Sequence, residues 1–215
     1  MLNQNCFMPM ISTKHITKLP EREALRSLWK SISVLDAILS EDWLDRYYTF
    51  NSRWAKGEEF GGMRNGQGDE LLILFRQDGC VINGMAHNYY PKDKTRLTQG
   101  LPEIYETFIF GEPVHSIGTT FCIWTNSENK WQTGQVDSFE DGSDDLLRIL
   151  DCDPQTYLAW ATDYYETEID FAAVSKIYRS EPLTNDMVLA VNNAFDHWQQ
   201  LKEDLEEIVY PQQLH

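Results

Sequence analysis

The chain has 215 residues, of which 42% are hydrophobic and 13% aromatic, a composition that is typical of a globular protein and excludes a largely disordered chain. Residues 1–136 contain 16 acidic and 14 basic side chains, whereas residues 137–215 contain 18 acidic and 4 basic ones. The excess negative charge of residues 137–215 produces an electrostatic field that repels phosphate groups. This excludes nucleic acid and anionic membranes as partners of the C-terminal part, and it favours a basic protein.

The chain also shows features that indicate a cytoplasmic protein. Its four cysteines are widely separated, which is typical of a reducing compartment. No apolar run approaches the ~18 residues of a membrane span, and no targeting segment is recognisable. A chain of this length buries a sizeable core, so we expect it to fold without a metal or another cofactor. Residues 1–18 are predicted to be an N-terminal tail.

The first elements in chain order are predicted to be helices. Pro20 is well placed to begin a helix whose apolar residues recur at spacings of three and four up to Leu39. Ser40 is then predicted to cap a second, aromatic helix that extends to Trp54. Five glycines between Gly57 and Gly68 predict a mobile loop with Arg64 at its tip.

Two hairpins follow, and they predict the sheet. The apolar run from Leu71 to Phe75 continues through an Asp-Gly turn into a second arm that contains Gly84, where we expect a bulge or close packing. A short helix around Tyr105 separates this hairpin from a second one, formed by residues 119–124 and 131–136. The fold class is therefore predicted to be α+β, with a small, mostly antiparallel sheet of about four strands packed with helices.

The remainder of the chain is predicted to be helical and acidic. Small polar residues before acidic first turns mark helix starts at Ser143, Asp153, Asp170 and Thr184. We expect a single domain over residues 19–215. Residues 19–136 would supply helices plus the sheet, and residues 137–215 would form an acidic helical region.

Three patterns could indicate a metal site or a nucleophile, but each departs from the arrangement that such a site requires. The acidic stretch that starts at Asp137 lacks calcium-loop spacing, because Phe139 and Arg148 occupy ligand positions. The five histidines form no local zinc motif. Cys80 and His87 could form a nucleophile pair only if a bulge brought them to one face of the strand, and a structural histidine is the favoured interpretation.

The blocks GDELLILFRQDGCVINGMAH, GLPEIYETFIFGEP, TTFCIW, DGSDDLL and IVYP occur in this order between Gly66 and Pro211. In these blocks the chain resembles a family of uncharacterised bacterial proteins, although Asn88 stands where the family has an acidic residue after the histidine. That resemblance implies no particular activity. In architecture the chain is also similar to the SUKH superfamily, and this similarity implies an immunity protein that neutralises a toxin.

These observations are consistent with two functions, of which the sequence favours the non-catalytic one. The first is an acidic binding protein of the immunity or regulatory type, with a basic protein as its partner and a contact surface formed by Asp137, Glu140, Asp141, Asp144 and Asp145. The alternative is an enzyme or small-ligand binder with a pocket between the Gly57–Gly68 loop and the sheet, formed by Arg64, Asp69, His87 and Trp124. A homo-oligomer with an aromatic interface is a third interpretation.

Overall fold

The computed structural model describes residues 10–89, 93–136 and 140–214. Within these ranges the chain forms one antiparallel sheet of six strands, and each strand pairs with the next along the chain. The predicted α+β class is confirmed, and the sheet is larger than the expected four strands. The strands are β1 (Tyr48–Ala55), β2 (Glu58–Arg64), β3 (Glu70–Arg76), β4 (Gly79–Met85), β5 (Phe121–Thr125) and β6 (Trp131–Thr133).

Helices precede, interrupt and follow the sheet. Asp153, Asp170 and Thr184 each cap the helix that the sequence assigned to them, because their side chains accept backbone N–H groups of the first turn. The α-helices are α1 (Arg22–Leu39), α2 (Lys94–Leu97), α3 (Glu106–Phe110), α4 (Val114–Ile117), α5 (Ser143–Leu146), α6 (Pro154–Tyr164), α7 (Phe171–Tyr178), α8 (Asn185–Val191) and α9 (Trp198–Ile208).

The sheet is buried on both faces, which explains the unbroken apolar run of β3. Leu71, Ile73 and Phe75 join the main core with α1 and the C-terminal helices, whereas Leu72 and Leu74 join a second core. In that second core they pack with Tyr105, Phe108, Ile109 and other residues near α3 and α4. A strand that is buried on both faces has no polar side to alternate with its apolar side.

Helix α1 forms the centre of the molecule. One side of it packs against β1, and other sides contact α7, α8 and α9. It is buried along most of its length, including the polar residues Lys30, Ser31 and Asp36. The main core therefore continues from the sheet through α1 into the acidic helical region.

The predicted helix from Ser40 to Trp54 is wrong. Residues 43–45 form a single 3₁₀ turn, and β1 begins at Tyr48. In β1 the buried residues Tyr48 and Phe50 alternate with less buried ones, which is the two-residue period of a strand. Aromatic residues favour strands, and here this preference outweighs the helix-like start at Ser40.

The predicted Gly57–Gly68 loop is also wrong, because β2 occupies most of it. Gly61 lies under the indole of Trp29, and a Cβ atom added at Gly61 would lie 2.6 Å from Trp29 Nε1. Gly84 pairs regularly with Leu71, so β4 has no bulge there. Close packing is confirmed instead, since a Cβ atom at Gly84 would lie 2.1 Å from the Phe121 ring.

We expect Gly61→Ala to destabilise the protein by about 1–3 kcal/mol, because the new methyl group overpacks the contact between α1 and β2. It would lie 2.5 Å from Ile73 Cγ2. Gly62→Ala is the matched control, because its nearest contact would be 3.2 Å, with Thr49 Oγ1. Urea unfolding of both variants measures the difference, and equal losses of stability would contradict this packing role.

Part of the predicted N-terminal tail packs against the acidic region. Ile11, Ser12 and Thr13 are buried, and residues 13–18 form 3₁₀ turns. The Thr13 hydroxyl donates to Asp141 Oδ2 at 2.6 Å, and its backbone N–H donates to Ser143 Oγ at 3.0 Å. The segment from residue 11 onward is therefore attached to the main core.

Candidate functional site

The structure separates the five predicted acidic contact residues. Asp137 lies outside the described residues. Asp141 is buried and accepts hydrogen bonds from Thr13 and Ser143, so it links the N-terminal segment to the start of α5. Glu140 and Asp145 are exposed, and Asp144 is half-buried. These three lie near Tyr89, whose pKa is raised first by desolvation and then by their charges.

The predicted pocket of Arg64, Asp69, His87 and Trp124 is not assembled. Asp69 and His87 do meet, since Asp69 Oδ1 lies 2.8 Å from His87 Nδ1 and also accepts the His87 backbone N–H. Arg64 is directed to Trp43, where its guanidinium stacks 4.1 Å from the ring centroid and donates to the Trp43 carbonyl oxygen. Trp124 is only 2% exposed and lies in the second core, so it cannot join them.

Nucleophilic and metal chemistry receive no support from the described residues. Cys80 is fully buried, and burial raises its pKa well above the ordinary value, which disfavours the reactive thiolate. His87 is exposed and bonded to Asp69, so Cys80 and His87 do not form the pair considered above. In the ranges given above, no group of three or more His, Cys, Asp or Glu side chains is arranged to hold a metal ion.

A cleft of about 550 Å³ opens where α1, β2 and α6 end. Its lining combines apolar side chains, two arginines and two tyrosines from segments that are distant in sequence. Arg64 Nε is buried beside it and has no hydrogen-bond partner among the described residues. The lining residues are Leu39, Ser40, Leu44, Asp45, Arg46, Arg64, Asn65, Gly66, Tyr164 and Tyr165.

One wall of the cleft belongs to an aromatic cluster. Tyr164 stacks on Trp160 with ring centroids 5.2 Å apart, and it packs edge-on against Tyr165 at 4.9 Å. Tyr47 packs between β1 and α6, with its ring centroid 4.7 Å from that of Trp160. Interlocked rings of this kind give a rigid wall, and Tyr164 remains 44% exposed.

The segment 41–45, which we call the exposed loop, contributes Leu44 and Asp45 to the lining of the cleft. Its residues Glu41, Asp42, Trp43, Leu44 and Asp45 are all exposed. The buried side chain of Arg46 fixes the end of this loop, because it donates to the Ser40 and Glu41 carbonyl oxygens and pairs with Asp204 of α9 at 2.7 Å. Asp42 also accepts the Leu44 N–H at 2.8 Å.

Beneath the aromatic cluster, a buried carboxyl group joins three elements. Asp36 of α1 accepts the Tyr157 hydroxyl of α6 and the Tyr48 N–H of β1, each at 2.7 Å. Complete burial raises the pKa of Asp36 to about 7, although both hydrogen bonds oppose that shift. Asp36 therefore positions the helix and the strand that support the cleft.

The exposed loop and the cleft are not predicted from the sequence. The available signal is the pattern Glu-Asp-Trp-Leu-Asp, in which two large apolar residues are enclosed by acidic ones, but the same pattern is typical of the first turn of a helix. The position of Tyr164 in the same cleft as Leu44 depends on the packing of α6, which no local pattern in the chain specifies.

Comparisons with models of protein families, with curated proteins and with solved structures found no match. The resemblance to the bacterial family and to the SUKH superfamily therefore stays a prediction. In the described ranges, no helix is long and apolar enough to cross a membrane.

Proposed function

We propose that this chain is a non-catalytic binding protein that uses its acidic helical region to bind a basic protein. The observation that carries the proposal is that most of this region's carboxylates are exposed, while residues 137–215 contain only four basic side chains. The exposed acidic residues of the described region are Glu140, Asp145, Asp151, Asp153, Asp163, Glu166, Glu168, Asp170, Asp186, Asp196, Glu203, Glu206 and Glu207.

Ion pairs inside the molecule neutralise few of the carboxylates in residues 137–215. Within the described residues, Asp204 pairs with Arg46, Glu181 pairs with Arg179, and Asp196 lies 2.9 Å from His197. An excess of unneutralised exposed charge produces a field that steers an oppositely charged partner and makes the association depend on salt. An immunity or regulatory protein that captures a basic target would have this surface.

A salt-graded affinity capture from the host lysate, analysed by mass spectrometry, tests the proposal. We expect the purified protein to retain a basic protein at low salt and to release it at moderate salt, because exposed charges are screened within about 10 Å at 0.1 M. Capture without a basic protein, or release that does not depend on salt, would contradict the proposal.

Charge reversal in the acidic region gives a sharper prediction. We expect Glu203→Lys with Glu206→Lys on α9 to weaken capture at low salt by about tenfold, because the field loses part of its strength. Glu103→Lys with Glu106→Lys is the matched control, since these exposed glutamates have the same spacing but belong to the first part of the chain. Equal capture by both double variants would show that the acidic region is not the contact surface.

A small-ligand binder is the second candidate, and the cleft is the observation that favours it. A volume of about 550 Å³ lies in the range of ligand sites, and Arg64 Nε is a donor without a partner among the described residues. A thermal-shift screen with small carboxylates tests this candidate, with Arg64→Gln as the variant that should remove any stabilisation.

A further inference from the structure

The exposed loop and the cleft beside it form an apolar surface close to the acidic helices. Trp43 is 52% exposed and Leu44 is 69% exposed. Tyr164 and Leu44 both line the same cleft. Large aromatic and aliphatic side chains that remain exposed around a concave surface are typical of contact sites between proteins.

Several contacts inside the molecule support the conformation of this surface. Arg64 covers one side of Trp43 and donates to its carbonyl oxygen, while Asp42 accepts the Leu44 N–H. The buried Arg46–Asp204 pair fixes the end of the exposed loop to α9. A surface that is already ordered loses little conformational entropy on binding, and this favours affinity.

The rim of the surface is acidic. Glu41, Asp42 and Asp45 belong to the exposed loop itself, and Asp163 and Glu166 lie close to Tyr164 in the chain. His197 lies 3.0 Å from Glu41 and 2.9 Å from Asp196, so the rim continues toward α9. The charge of Arg46 is balanced by Asp204, and Arg64 is the other arginine that lines the cleft.

We infer that the exposed loop and the cleft are the docking site for a segment of the basic partner in which an apolar side chain is flanked by lysines or arginines. This inference rests on the proposed function and locates its contact surface. The apolar side chain packs against Trp43, Leu44 and Tyr164, and the flanking cations pair with the acidic rim. A second copy of this chain fits less well, because each copy has a net charge of −16.

Two synthetic peptides of equal length and equal lysine content test the inference. One peptide has a central phenylalanine and leucine, and the other has glycines in their place. We expect fluorescence anisotropy to show that the apolar peptide binds at least about tenfold more tightly at low salt, because burial of the apolar pair adds to the electrostatic attraction.

Surface variants of the protein show where the apolar pair binds. We expect Leu44→Ser, and separately Trp43→Ser, to remove the difference in affinity between the peptides. Leu189→Ser is the matched control, because Leu189 is 42% exposed on α8 and should leave the difference unchanged. Circular dichroism and urea unfolding check that each variant is folded.

The outcomes separate the docking site from the proposed function. If both peptides bind equally and binding falls with salt, the acidic field attracts cations but the docking site is overturned. If neither peptide binds, the proposed function is contradicted as well. If sedimentation shows that the chain associates with itself and Leu44→Ser abolishes this association, the surface belongs to a second copy and the inference is overturned.

Discussion

Arg46→Ala is expected to destabilise the protein by about 3–5 kcal/mol, because it leaves Asp204 buried without its counter-charge. Arg46 and Asp204 are both buried, and the two side chains are 2.7 Å apart. The substitution also removes the donors to the Ser40 and Glu41 carbonyl oxygens. Urea unfolding measures the loss of stability.

A double-mutant cycle and a surface control identify the cause of this loss. Arg46→Ala combined with Asp204→Ala should cost less than the sum of the two single substitutions, because the double variant has no unpaired buried charge. Arg179→Ala breaks the exposed pair with Glu181 and should cost at most about 1 kcal/mol. Additive losses in the cycle would contradict a direct pairing in solution.

Asp36→Ala is expected to cost about 2–4 kcal/mol at pH 5, because it leaves the Tyr157 hydroxyl and the Tyr48 N–H buried without an acceptor. Asp36→Asn is the matched control, since an amide keeps the shape and hydrogen bonds to both groups after the Tyr157 hydroxyl rotates. Urea unfolding of the wild type and both variants measures the effect.

The stabilities of the wild type and of Asp36→Asn should also depend differently on pH. The pKa of Asp36 is about 7 in the folded protein and 3.8 ordinarily, so the folded state binds the proton more tightly. The contribution of this group to stability is complete below about pH 4 and is lost as the pH rises toward 7, by up to roughly 1.4 kcal/mol per pH unit. The wild type should therefore lose a few kcal/mol relative to Asp36→Asn between these values, and parallel pH profiles would contradict this.

Local patterns predicted the parts of the fold in which one preference dominates. The run from Leu71 to Phe75 has both the length and the composition of a buried strand, and it was confirmed as β3. The caps at Asp153, Asp170 and Thr184 depend only on adjacent residues, and they were also confirmed.

Elements determined by tertiary contacts could not be predicted from local patterns. Gly61 and Gly62 resemble loop residues in the sequence, but they lie in β2, where Trp29 of α1 requires the absence of a side chain at Gly61. Tyr48, the first residue of β1, donates its N–H to Asp36, twelve residues earlier. The two missed strands both depend on α1.

Of the features used in the proposals, only the charge distribution follows directly from the sequence. The excess of acidic residues in 137–215 is a count from the sequence, but the spacing of Asp141 does not show that this side chain is buried against Thr13. The contact between Asp69 and His87 was expected as part of a pocket, whereas Trp124 lies in a different core. Which residues share a surface depends on how α6 and α9 pack, and this is a property of the fold.

The most direct test of the binding proposal is the association rate constant with the captured basic protein, measured as a function of salt. We expect this constant to fall by about tenfold between about 50 and 300 mM salt, while the dissociation rate constant changes much less, because the acidic field acts mainly on the encounter of the two proteins. An association rate constant that does not change with salt would contradict electrostatic capture by the acidic helical region.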